Sequence, residues 1–363
     1  MKALFLGDIC PTDASADYFE KGDIEFLFGD TAALFSAAEF RMANLECALT
    51  DSETEIDKFG PCLKAPTASA ATLRTLGVDA VSLSNNHVFD FGKAGIRDTK
   101  AALDAAGIAY SGFGEHYEDS RRDLLIEKNG ERIAVLCVCE HEYSYALENR
   151  MGSRPFDEFD TMLDIRRAKE SADRVIVLYH GGKEHCRYPS PRLYKACHAM
   201  AEHGADLILC QHSHCVGCYE EYKGTHILYG QGNFHFFLKH GNSPECWLNG
   251  LAVTYDTVSG EIGFVPVMQK ESGRIAIARD ADAAEILNPF RSRSAELLNG
   301  KWRDGWHDFC LGMEESYTRI LQNSFREDST ARQNHKFAHY LDCEAHTDVW
   351  RELFPTKNHT NEL

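Results

Sequence analysis

Five short apolar runs in this chain end on residues whose side chains bind metal ions. Asp8 follows residues 3–7, Glu46 follows 40–45, Asn86 and His87 follow 81–85, His180 follows 175–179, and His212 and His214 follow 207–211. Hard carboxylate oxygens combined with imidazole nitrogens suit Mn, Zn or Fe. Two such ions a few ångströms apart are a common device for hydrolysing phosphate esters, with a bridging water whose pKa falls to about 7 as nucleophile. Glu46 is the carboxylate best placed in sequence to bridge them.

Each residue also has a plainer explanation. Asp8 alone reads as a turn cap, and Asn86 as a turn residue that tolerates left-handed geometry. His212 and His214 alone read as a surface pair, since residues i and i+2 of a strand share a face. That shared face also serves a metal, and five strand ends terminating in ligand types outweigh the separate explanations.

The elements that must position these groups alternate in the first two thirds of the chain. Apolar strand-like runs are separated by helical runs at about 31–38, 66–76, 91–106, 156–172 and 191–203, with Pro66 suited to a first turn and Gly77 and Gly107 to helix ends. This rhythm predicts an α/β fold with a layered parallel sheet, and such sheets bind ligands at the carboxyl ends of their strands. Asn129-Gly130 predicts a hairpin joining 123–127 to 132–138. The runs at 219–222, 226–228, 251–257 and 262–268 read as antiparallel pairs forming a second layer. From about residue 281 the sequence turns charged and helix-periodic, with Trp302, Trp306, Phe309, Ile320 and Leu321 as its apolar positions. The predicted division is a main domain over 1–280 and a helical extension over 281–363, whose simplest role is packing and whose sharper role is a lid or dimer element.

The chain has 363 residues, 38 Lys plus Arg against 56 Asp plus Glu, and a formal charge of −18. A body this acidic repels polyanions, which argues against nucleic acid as a partner. No run has the length of a membrane span, and the N-terminal apolar stretch is interrupted at Asp8, so the expected location is cytoplasmic. Of thirteen cysteines only Cys215 and Cys218 form a CxxC pair; Cys137, Cys139 and Cys210 are expected to be reduced core residues.

The segments Gly7-Asp8, Asn44-Leu45-Glu46, the run from Ser84 to Gly92, His180-Gly181-Gly182-Lys183-Glu184, His212-Ser213-His214, and the run from Tyr229 to Phe234 occur in consistent order over roughly residues 1–270. Together they resemble the poly-gamma-glutamate capsule biosynthesis CapA family, which is similar in fold to the calcineurin-like metallophosphoesterases. The resemblance implies a four-layer α/β/β/α sandwich with a C-terminal helical extension. It implies Asp8, Glu46, Asn86, His180, His212 and His214 as ligands of a divalent transition metal, two ions of Mn, Zn or Fe. It further implies His87 as the residue that protonates the leaving oxygen or stabilises the transition state, and Glu184 and Asn233 as residues lining the site. Asp90 is placed to orient the His87 ring. The chain departs from the phosphoesterase pattern in having Ile9-Cys10 after Asp8, Asn44-Leu45-Glu46 in place of a second Asp motif, and Gln211-His212-Ser213-His214 at the last motif.

Beyond these, His185 is weighed equally between substrate contact and plain loop. Arg187, Tyr188 and Arg192 are candidates for an anionic substrate group, set against the usual role of arginine as solvating charge. His116, His141, His198, His203, His226, His240 and the histidines near the C-terminus are expected at the surface or as satisfied core residues, and Phe234, Phe236 and Phe237 in the core. Two function classes follow. One is a metal-dependent hydrolase of a small anionic or polymeric acidic substrate, including a gamma-glutamyl amide. The other is a non-catalytic component of poly-gamma-glutamate synthesis or export.

Overall fold

The computed structural model describes residues 1–238, 244–270 and 273–355; His240 lies outside them. Two β-sheets pack face to face. The first is mixed: Lys2–Cys10, Phe40–Leu45, Ala80–Ser82 and Ala109–Ser111 run parallel, and Asn249–Asp256, Ile262–Lys270 and Arg274–Ile277 continue it antiparallel on the other side of Lys2–Cys10. The second sheet is built from Val216–Tyr222, Thr225–Gln231, Leu207–Gln211, Arg174–His180, Glu131–Cys139 and Leu124–Lys128, in that order.

Three buried clusters define four layers. Phe5, Met42 and Val253 of the first sheet meet Val135, Ile176 and Leu209 of the second, giving the sheet-on-sheet core. Outward-facing Leu4, Ala43 and Val81 pack on Phe28, Leu73 and Leu103 of the helices beside the first sheet. Leu136, Val177 and Ile208 pack on Ile165, Leu193 and Met200 beside the second. Each central strand buries both faces, which is why these runs are continuously apolar rather than alternating.

Local chemistry sets the element ends. Asp157 accepts hydrogen bonds from the N–H groups of Phe159 and Asp160 and starts the helix Glu158–Lys169; Ser190 caps Pro191–Glu202, with proline in its first turn. Asn129 and Gly130 both take positive φ, 54° and 82°, as the two-residue hairpin between Leu124–Lys128 and Glu131–Cys139 requires.

The structure departs from the sequence expectation in three places. The ligand-bearing strand ends belong to two facing sheets rather than one. The pair around 251–268 joins the first sheet, because its inward residues complete the core next to Lys2–Cys10. The helix expected from Pro66 starts at Ser69. The α/β class, the α/β/β/α layering and the helical C-terminal segment are as expected. That segment comprises Asp280–Asn299, Trp302–Ser324, Ala331–Asp342 and Glu344–Leu353. Ile286 and Phe290 of the first of these helices enter the sheet-on-sheet core, while Trp306, Cys310, Tyr317 and Val349 of the later ones form a small core with Cys186.

Candidate metal centre

The carboxyl ends of both sheets deliver their polar residues to one buried point. From the first sheet come Asp8, Glu46 and Asn86; from the second come His180, His212 and His214. Glu46, His212 and His214 each offer a ligand atom within 4.8 Å of the others, and Asp8, Glu46 and His180 do the same. Glu46 is common to both triads. Its two oxygens are buried, and neither has a hydrogen-bond partner among the described residues. A buried carboxylate without hydrogen bonds costs several kcal/mol in a protein interior, and a divalent cation removes that cost. The donor set of two carboxylates, three imidazoles and an amide fits Mn, Zn or Fe.

The residues behind these ligands fix their orientation. Asn44 Nδ2 donates to Asp8 Oδ1 at 2.8 Å, and the His212 N–H donates to Asp8 Oδ2 at 3.2 Å. His214 Nδ1 lies 2.9 Å from Asn233 Oδ1, and its ring leans on Trp247 with centroids 4.0 Å apart. Asn86 Oδ1 faces His180 Nε2 at 3.0 Å, and its amide donates to Glu142 Oε2 at 3.1 Å. His87 Nδ1 is 2.7 Å from Asp90 Oδ2. Such partners hold ligand rings and carboxylates in place as much as the ligands hold the ion.

Strand alternation does not account for the convergence of His212 and His214. Leu207–Gln211 ends before them, and both adopt left-handed backbone, φ 75° and 52°. Left-handed geometry at a residue other than glycine is costly and accumulates at functional sites. Gly7 is needed for a related reason: a Cβ there would lie 2.0 Å from the Gly232 carbonyl oxygen, so the strand carrying Asp8 could not approach the chain leading to Asn233.

Burial, then the neighbouring Glu46, raises the Asp8 carboxyl to about 7; burial raises Glu46 to about 7 although His87 and His212 oppose it. Burial, then His212, lowers His180 to about 3. Burial would lower His212 as well, but Glu142, with Glu184 and Glu46, raises it to about 10. Glu142 itself is held well below the carboxylate range by His212 and His339, against the effect of burial. Without metal, therefore, His212 is an imidazolium paired with Glu142 at 3.1 Å.

A cavity of about 420 Å³ opens beside Glu142, walled by Ile56, Phe89 and Tyr143 on one side and by His335, His339 and Asp342 of the helix Ala331–Asp342 on the other. A helix of the C-terminal segment thus walls a cavity whose Glu142 touches Asn86 and His212. His339 stacks on Tyr143 with centroids 4.9 Å apart, and His335 pairs with Asp57 at 3.3 Å.

The remaining expected residues are distributed unevenly. Glu184 is partly exposed, with Lys183 3.9 Å away, and its charge reaches His212 and His214. His185 and Arg187 lie exposed on the loop after His180. Asn233 is buried with its carbonyl on His214 and its amide on the Trp247 carbonyl, which makes it an orienting residue for His214 rather than a substrate contact. Arg192 is likewise no substrate contact: it ion-pairs with Glu140 and Asp348 and holds the helix Glu344–Leu353 against the second sheet. Of the C-terminal histidines, His346 is buried against Tyr317 and Tyr340, but His339 faces the cavity.

Sequence reasoning missed Glu142, Asn44, Lys58 and Trp247. Glu142 had a usable signal, since Cys139-Glu140-His141-Glu142 follows a strand that ends on the same edge as His180. Asn44 sits inside its strand, Lys58 comes from an irregular segment and Trp247 from the short 3-10 turn Glu245–Leu248, so no periodicity marks them.

The model of the bacterial capsule synthesis protein family PGA_cap matches residues 2–237, a stretch that includes all six candidate ligand positions. The chain is 32% identical over 180 residues to the capsule biosynthesis protein CapA of Bacillus anthracis, covering 48% of this chain and 44% of that protein. It is 28% identical over 245 residues to the PGA biosynthesis protein CapA of Bacillus subtilis, covering 65% and 63%. It is also 26% identical over 252 residues to a probable polyglutamine synthesis accessory protein of Mycobacterium tuberculosis, covering 65% and 66%. The matches thus span less than two thirds of the length of these relatives. Among solved structures, a putative 5'-nucleotidase from Staphylococcus aureus in complex with alpha-ketoglutarate aligns with TM-score 0.47 and 13% identity over 80% of this chain and 58% of that one.

Proposed function

The chain belongs to the bacterial capsule synthesis protein family PGA_cap, and from that premise we propose that it is a metal-dependent hydrolase acting on a phosphate ester or a related anionic bond. The observation that carries this reading is Glu46, buried, without a hydrogen-bond partner and shared between two ligand triads. Asp8, Glu46, Asn86, His180, His212 and His214 would hold two divalent ions of Mn, Zn or Fe. When bound, such ions supply Lewis acidity and lower the pKa of water to about 7.

The chain's own residues do the rest. Asn44 and the His212 N–H keep Asp8 turned into the site, and Asn233 fixes the His214 ring by its Nδ1. Asp90 holds His87 by Nδ1, so Nε2 is the nitrogen left to give a proton to the leaving oxygen. The cavity wall at Tyr143 and His339 limits water around the reacting bond. Glu184, His185 and Arg187 are the candidate substrate contacts on the loop after His180.

Protein purified without chelator should contain transition metal and cleave an aryl phosphate monoester or diester. Cleavage that survives complete metal removal would sink the proposal. His87→Ala should keep the metal and lose roughly 100-fold or more in turnover.

The names of the relatives favour a second reading, in which the chain serves poly-gamma-glutamate synthesis or export without catalysis, binding an acidic polymer and using metal structurally. A binding protein of that kind would be indifferent to His87→Ala. Amide hydrolysis of a gamma-glutamyl polymer would use the same activated water and separates from ester hydrolysis in a substrate panel. In either case the partner is a small anionic or polymeric acidic molecule rather than nucleic acid, and we place the protein in the cytoplasm. No helix among the described residues is long and apolar enough to cross a membrane.

A further inference from the structure

Lys58 lies between the strands Ala48–Leu49 and Lys64–Ala65, in the segment whose Ile56 and Asp57 wall the cavity. Only 3% of its side chain is exposed. Its ammonium makes two contacts: it ion-pairs with Asp90 Oδ1, and it stands 3.2 Å from His87 Nδ1. The other Asp90 oxygen accepts from the Leu63 N–H at 2.7 Å and meets His87 Nδ1 at 2.7 Å. Asp90 is fully buried, and its backbone carbonyl accepts from the Ile56 N–H at 2.9 Å.

We propose that Lys58 is a positioning residue for His87, fixing through Asp90 which way the imidazole presents Nε2. The inference rests on the hydrolase reading for what His87 does, but the geometry stands without it. A carboxylate gripped by three donors from three directions cannot rotate, and a ring tied by Nδ1 to that carboxylate cannot turn. A salt bridge needing only charge neutralisation would be satisfied by Asp90 alone; contact with the ring nitrogen is the additional feature. The ammonium also cancels the Asp90 charge, so the ring is held by a neutral pair rather than a free anion. Because Lys58 directly follows Ile56 and Asp57 of the cavity wall in the chain, movement of that wall is transmitted to the acid. The flanking contacts keep the wall in register: the Phe59 N–H donates to Tyr143 Oη at 3.0 Å, and Lys58 Nζ lies 5.7 Å from the centre of the Tyr143 ring.

The test uses the full chain loaded with metal and compares Lys58→Met and Lys58→Arg with the parent. The readouts are metal content, kcat and KM on an aryl phosphate, and the ring ¹⁵N signals of His87, assigned by their loss in His87→Gln. Lys58→Met should keep its metal, lower kcat roughly 10- to 100-fold with KM changed less than about twofold, and shift the His87 Nδ1 signal. Lys58→Arg should restore most of both. A Met variant with unchanged His87 signals and unchanged kcat overturns the proposal. If the parent turns over no ester, the hydrolase reading fails, while the ring signals still decide Lys58. Should Lys58→Met not fold, Lys58→Gln removes the charge, keeps a donor, and is read at the same nitrogen with the same two outcomes.

Discussion

Glu46 is the residue that the two candidate ligand triads share. It is fully buried just past the strand Phe40–Leu45, its N–H is spent on the Ile9 carbonyl at 2.9 Å, and its carboxylate lies 3.5 Å from His180 Nε2 and 3.7 Å from His214 Nε2, with Asp8 in the same cluster. Glu46→Gln preserves shape and removes the charge. It should weaken metal binding at least about 100-fold, since both triads lose their shared member, and metal content by elemental analysis after dialysis should fall near zero. Retention of two ions per chain would show that the carboxylate is structural.

At the scale of elements, the site depends on how two sheets and a helix are pinned together. The helix Glu344–Leu353 reaches the second sheet through Asp348, which accepts from Arg192 Nε at 2.9 Å and from Ser190 Oγ at 2.6 Å; Arg192 also pairs with Glu140. Arg192→Met leaves buried Glu140 without its cation and buried Asp348 with only Arg351, 3.6 Å away. Breaking a buried network of this kind costs about 3–5 kcal/mol, and thermal unfolding should show a clear loss of midpoint with metal content retained. An unchanged midpoint would mean that the Arg192 ion pairs add nothing to the apolar contacts with Cys186 and Tyr188 and the remaining hydrogen bonds, such as His141 to Glu344. None of this was visible in the sequence, where Arg192 is a candidate for an anionic substrate group set against plain solvating charge. Its partners lie 52 and 156 residues away.

For the whole molecule, metal loading and protonation are linked. Without metal, Asp8 and Glu46 hold protons up to about pH 7 and His212 holds one up to about 10, whereas His180 is already neutral above about 3. Ligands must be deprotonated to bind, so affinity rises with pH. Below pH 7 loading should release about three protons per chain, and between about pH 7 and 10 about one. Calorimetry in buffers of different ionisation enthalpy measures this directly; a release that does not change across pH 7 would show that Asp8 and Glu46 are not ligands. Loading should also raise the thermal midpoint, by about 2.7 kcal/mol of added stability at a free metal concentration 100 times Kd.

The sequence alone determined what local chemistry controls. Continuous apolar runs fixed the central strands, Asn129-Gly130 fixed a hairpin, and Gly77 and Gly107 fixed helix ends, because each depends on neighbours within a few residues. It also placed Asp8, Glu46, Asn86, His180, His212 and His214 at strand ends. Only the tertiary structure decided that these ends come from two facing sheets, that Asn233 and Arg192 are orienting and pinning residues, and that Glu142, Lys58 and Trp247 stand beside the centre. The left-handed turns at His212 and His214 and the close passage of Gly7 against Gly232 arise from packing between segments more than 200 residues apart. Such contacts leave no period in the chain, so residue spacing could show which groups were available but not which of them meet.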